Sequence, residues 1–201
     1  MTATQPKSLL KALLLGSVIS SLAFAQSVAA DWRINNEASD IQFVSIKKGN
    51  IGEVHHFGEL AGTFTKAGAL TVNISLASVD TGIDIRNTRM QEHLFESAKY
   101  PLATISAQID PTLLKGLKAG KNKTLQVPFE LNLHGKKVSL TAPVTVNAQK
   151  GGSLHVNTTA PILLNAADFG FIPGIDKLKE LAGLDSIASS IPVTVQLSLE
   201  K

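Results

Sequence analysis

The chain has 201 residues, of which 44% are hydrophobic and only 5% aromatic, with a formal net charge of +3 and no cysteine. The absence of cysteine excludes disulfides, thiolate metal sites and cysteine nucleophiles. The 19 basic and 16 acidic residues are interspersed, so there is no clustered positive footprint of the kind that binds nucleic acid.

In chain order, Lys7 and Lys11 precede an apolar run from Ala12 to Ala25, and small residues follow up to Val28-Ala29-Ala30. Charge, core and small-residue site together predict a cleaved secretory signal peptide over residues 1–30 and a mature domain over 31–201. Cleavage after Ala25 is the alternative. As a membrane anchor the run is too short and too interrupted by serine, and no later run is long enough to span, so no stable membrane span is expected. Without its leader the chain is nearly neutral.

The mature sequence reads as a succession of strands. Trp32–Ile34 opens it. Ser39–Lys47 follows, with Ile41 and Phe43 on one face and Val44 and Ile46 out of phase, which predicts a bulge or an exposed apolar spot. Val54–Phe64 is extended. Leu70, Val72, Ile74 and Leu76 alternate with polar residues and end at Asp80-Thr81-Gly82. A short helix is predicted near Thr88–Ala98, with Thr88 and Gln91 as a capping box and Met90, Leu94 and Ala98 as its apolar stripe. Arg86 and Arg89 stand where strand becomes helix. They are placed to hold backbone carbonyls, to pair with Asp80, Asp84 or Glu92, or to meet a polar lipid head.

Ala103, Ile105, Ala107 and Ile109 share a face of the next strand, and residues 111–122 read as a loop. Leu125–Leu133 and Val138–Val146 alternate on either side of His134-Gly135, which makes a tight turn. Leu154–Ala160 follows a Gly151-Gly152 turn. A second helix is predicted from Ile175 to Ala182, capped by Gly183, and Ile191–Leu199 is the closing strand. About eight amphipathic strands joined mostly by short turns predict an all-β fold. With a strand at each terminus, an antiparallel barrel closed on itself is favoured because closure removes both edges. A β-sandwich is the other arrangement.

The inward face of such a barrel carries Ile74, Leu76, Ile105, Ala107, Val127, Phe129, Leu131, Leu140, Ala142, Val144, Val156 and Val195. Phe43, Phe64 and Phe129 are the large side chains available to fill it. Small aliphatic residues on a long inward face leave volume, which favours an apolar channel over a packed plug. The five histidines form no HxH or HExxH spacing, and His55 and His56 point to opposite faces of a strand, so no metal site is expected. No GxSxG elbow and no paired acids among apolar neighbours point to catalysis.

The segment S-V-D-T-G followed by R-N-x-R-M-x-x-x-L-F-E-S-x-K-Y-P, the hairpin VPFELNLHGKKVSLTAPVTV and the tail IPVTVQLSLEK are together similar to the YceI-like family. One departure is Asn87, where the family usually has Asp. The resemblance implies an eight-stranded lipocalin-like barrel with one or two short helices. It also implies a periplasmic location and an isoprenoid quinone or polyprenyl lipid as ligand, with no cofactor. A homodimer is compatible with the sequence. Two other classes remain open on the residues alone: an enzyme acting on a lipid or quinone, and a filled-barrel adhesion or assembly module.

Overall fold

A computed structural model describes residues 1–2 and 31–201. Residues 3–30 of the expected leader fall outside them. The strands form a closed, eight-stranded antiparallel barrel in simple up-and-down order, several of them broken by a short irregular step. β1 comprises Trp32–Ile34 and Asp40–Lys47, and β2 comprises Ile51–Phe57 and Leu60–Phe64. β3 comprises Ala69–Ser75 and Val79–Asp80, followed by β4 (Leu102–Gln108), β5 (Asn122–Leu133) and β6 (Lys136–Ala148). β7 comprises Leu154–Thr158 and Ile162–Asn165, and β8 is Ser190–Glu200. Closure is made by β8, which pairs Val193 with Phe43 and Val195 with Ile41 on one segment of β1, and Leu199 with Ile34 on the other. Both termini of the sheet thereby lose their open edge.

The longest ladder is β5 on β6, where Phe129 faces Leu140, Val127 faces Ala142 and Leu125 faces Val144. It turns at His134-Gly135, both with positive φ. Two consecutive left-handed residues match the right-handed twist of the strands they join. A Cβ on Gly135 would sit 3.1 Å from the Tyr100 ring, so the glycine serves close packing as well. His134 does more than turn the chain. Its Nδ1 lies 3.1 Å from the Phe169 carbonyl oxygen and its Nε2 lies 2.6 Å from Glu96 Oε2. One imidazole thus ties the hairpin to both segments that cover this end of the barrel.

Several expectations are corrected. The Ser39–Lys47 strand has no bulge: its register runs unbroken from Gln42 opposite His56 to Lys47 opposite Ile51, and Val44 and Ile46 are half-buried. The first helix begins earlier and ends earlier than predicted. α1 covers Asp84–Arg89 and continues as a wider turn over Met90–Leu94, in which the Phe95 amide donates to the Met90 carbonyl at 2.8 Å. The expected capping box does not form. Thr88 Oγ1 donates back to the Asp84 carbonyl, and the Gln91 amide group donates to the Ala77 carbonyl. Asn87 takes a different role. Its Oδ1 accepts from the backbone N–H and the hydroxyl of Thr81, at 2.8 and 2.6 Å, and so fixes the incoming loop to the helix. The wide turn adds one residue to the helical repeat. It brings Phe95 inward beside Met90, and Ala98 is left exposed beyond the helix.

α2 covers Ile172–Ala182, three residues longer at its start than predicted, with Pro173 in the first turn, where its missing N–H costs nothing. Gly183 caps it at φ +60° as expected. Gly174, which lies before the predicted start, is inside the helix. A Cβ there would lie 2.5 Å from the His93 carbonyl oxygen and 3.0 Å from Leu94 Cα. Glycine at this position lets α2 lie directly on the wide turn of α1, and the two form a cap over one end of the barrel.

Candidate functional site

Two cavities among the described residues lie in the barrel interior. The larger, about 340 Å³, lies under the cap, within the range of sites that take small apolar ligands. The smaller, about 90 Å³, lies deeper, toward the opposite end. Its walls include Phe64, Leu70, Leu114, Leu154 and Leu199.

The residues singled out in sequence divide between these spaces. Ile74, Leu76 and Leu131 line the larger cavity, together with Arg86 and Arg89. Ala107, Val127, Ala142, Val144 and Val156 line the smaller one. Ile105, Phe129 and Val195 face both. Leu140 lines neither and packs against the core. Alternation placed these side chains on the inward face. It could not tell which depth of the barrel each occupies, since depth depends on strand tilt and stagger.

Sequence reasoning placed Phe43 on the inward face but missed much of the rest of the larger cavity. Phe43, Phe57 and Phe95 cluster on its wall with ring centroids 5.3–6.4 Å apart, and Phe171 continues the row 5.8 Å from Phe95. Phe169 is 1% exposed. These two phenylalanines, with Ile175, Leu178, Leu184 and Ile187, come from the connection between β7 and β8. Its pattern is irregular in sequence because the segment wraps over an opening instead of repeating along a strand.

The charged groups of the larger cavity gather at the capped end. Glu53 Oε2 accepts from Lys47 Nζ at 2.8 Å and from Arg86 Nη1 at 2.9 Å. Arg86 Nη2 donates to the Thr81 carbonyl at 2.6 Å. The lysine, followed by the arginine, holds the Glu53 carboxyl below its ordinary range. Arg86 therefore pairs across to β2 and not with Asp80, Asp84 or Glu92. Arg89 Nη1 donates to the Leu181 carbonyl, joining α1 to the last turn of α2.

Deeper in, His55 is 1% exposed, and its Nε2 is 2.8 Å from Ser45 Oγ. Burial, then the nearby Arg86 cation, pushes its pKa down to about 4, so the imidazole is neutral near pH 7. Among the described residues, His55 Nδ1 and Arg86 Nε are buried without a hydrogen-bond partner. A serine–histidine pair beside an apolar cavity invites a catalytic reading. A catalytic imidazole is normally oriented by a third group on its other nitrogen, and here that nitrogen has none. Glu53, two residues before His55 on the same strand, is committed to Lys47 and Arg86. Among the described residues no three His, Asp or Glu side chains come together as a metal site, and no helix is long and apolar enough to cross a membrane.

A comparison with curated proteins gives no match. Among solved structures, a polyisoprenoid binding domain from Saccharophagus degradans implicated in plant cell wall breakdown is 35% identical, with a TM-score of 0.83. The match covers 86% of this chain and 99% of that one. Burkholderia cenocepacia BcnA is 22% identical with a TM-score of 0.63, over 82% of this chain and 98% of that one, a likeness of fold. The model of the YceI-like domain matches residues 32–199. Barrel, cap and sequence agree, and the chain belongs to the YceI-like family.

Proposed function

We propose that this protein is an exported, periplasmic carrier that shelters the tail of a polyisoprenoid lipid, of the isoprenoid quinone or polyprenyl phosphate type, inside its barrel. The observation that carries the reading is the cavity of about 340 Å³ under the cap, with its charged groups gathered at one end. Each buried CH₂ is worth roughly 0.8 kcal/mol, so a tail can be held tightly without any directional contact. The headgroup sits near Lys47, Arg86 and Arg89, and the tail lies against Ile74, Leu76, Ile105, Phe129 and Leu131. No covalent step is needed, and the Ser45–His55 pair serves to hold the wall. Membership of the YceI-like family supports the reading, as does the polyisoprenoid-binding description of the Saccharophagus relative. The basic residues and apolar run before Asp31 support export.

The test is direct. The mature protein is purified from the periplasm of a bacterial host, extracted with organic solvent and analysed by mass spectrometry. A prenyl lipid in stoichiometric amount is expected. A protein that yields none, and that after delipidation binds no added prenol, refutes the carrier reading. Lipid recovered chemically altered after incubation with purified protein would favour the enzyme class instead.

A further inference from the structure

We propose that Phe129 is the stop that sets how much of an isoprenoid tail the barrel accepts. The inference rests on the carrier reading and adds to it a determinant of chain length. Four residues face both cavities: Ile105 on β4, Phe129 on β5, Ile162 on β7 and Val195 on β8. They come from two neighbouring strands on one side of the barrel and two on another, so they form a waist between the chambers. Phe129 is the one aromatic side chain among them, and it is held in the longest ladder of the sheet, opposite Leu140. The wall below the waist has a single polar member, Thr158. The charged groups lie at the other end, on the β1–β2 hairpin and α1. A lipid with one polar end therefore enters tail first from the cap, and its terminal carbons meet the Phe129 ring.

Below the ring lies space that a tail cannot reach. The deeper chamber amounts to about a quarter of the upper one, 90 against 340 Å³, and Ala107 and Ala142 on its wall leave it open. Phe129→Ala joins the two chambers. Adding Ala107→Phe to that variant refills the lower one from the neighbouring strand.

The experiment measures binding of a series of linear all-trans prenols, from geraniol upward, to the delipidated mature protein by displacement of a fluorescent apolar probe. In the wild type, affinity is expected to rise with each isoprene unit up to a break and then to stay level. In Phe129→Ala the break moves to longer prenols by at least one unit, while the shortest prenols lose little. In Phe129→Ala/Ala107→Phe it returns to the wild-type position, and Ala107→Phe alone leaves it there. If Phe129→Ala does not fold, Phe129→Leu retains most of the core and is expected to move the break by a smaller amount. A Phe129→Ala or Phe129→Leu protein that binds prenols with an unmoved break overturns the proposal. So does a double variant that keeps the shift. Wild-type protein that binds no prenol of any length overturns the carrier reading, and the stop with it.

Discussion

Lowering the pH should weaken the fold through His55, by an amount that can be worked out from its surroundings. The side chain is 1% exposed, packs 5.1 Å from the Phe43 ring and bonds through Nε2 to Ser45. Its Nδ1 has no partner among the described residues, so the second N–H of an imidazolium would have none of them to donate to. Arg86, His56 and Lys47 oppose a positive charge there, and Glu53 favours it less than burial and Arg86 disfavour it. The folded-state pKa is therefore depressed to about 4 from the ordinary 6.5. For a depressed histidine, the stabilisation is complete above the unfolded pKa. It is lost as pH falls from 6.5 toward 4, because only the unfolded chain takes up the proton. Between pH 7 and pH 5 the loss is about 2 kcal/mol at 1.36 kcal/mol per unit of pKa difference. For a domain of this size that lowers Tm by roughly 4–8 °C.

The assay is thermal or urea unfolding of delipidated protein at the two pH values, for the wild type and for His55→Phe. The substitution keeps an aromatic ring beside Phe43 but cannot titrate. The variant will be less stable at pH 7, since Ser45 loses its partner. What matters is its slope. His55→Phe should lose about 2 kcal/mol less than the wild type between pH 7 and 5. Equal losses in the two proteins would refute the claim that the fold holds this histidine neutral.

Phe169→Ala removes one of the most buried side chains in the cap and should destabilise by about 3–5 kcal/mol in denaturant unfolding. Gly174→Ala puts a Cβ against the His93 carbonyl and Leu94 Cα; a loss of roughly 1–3 kcal/mol is expected, with hydrogen exchange rising first in α1 and α2. Gly135→Ala forces alanine into φ +71° against Tyr100. It should cost on the order of 1–2 kcal/mol, and a wild-type midpoint would show that this turn is not constrained. Leu94→Asp puts a charge into the apolar wall of the larger cavity and should lower stability by several kcal/mol. An unchanged midpoint would show that the cap is not docked.

Several features were legible because they are periodic. The β5–β6 hairpin repeats apolar residues at every second position for two long strands, and its face and turn are as read. Gly183 ends its helix as expected because only a left-handed residue satisfies those last carbonyls. The first helix was misplaced because Thr88 and Gln91 make an equally good capping box on paper. In the folded chain their side chains find the Asp84 and Ala77 carbonyls instead, and Asn87 is taken by Thr81. Local signals rank such choices only when no distant partner competes.

By itself the sequence determined that the described chain is a one-sided sheet that must bury one face, with small aliphatic residues along much of it. Those follow from alternation and side-chain volume, which are local properties. Only the tertiary structure decided how the buried space is divided. The waist at Phe129 arises from strands distant in sequence meeting at one depth. The cap exists because Gly174 lets α2 lie on the wide turn of α1. The neutral state of His55 depends on Phe43, Ser45 and Arg86 closing around it. Each is a relation between residues brought together by barrel closure, and none leaves a repeat in the sequence from which it can be read.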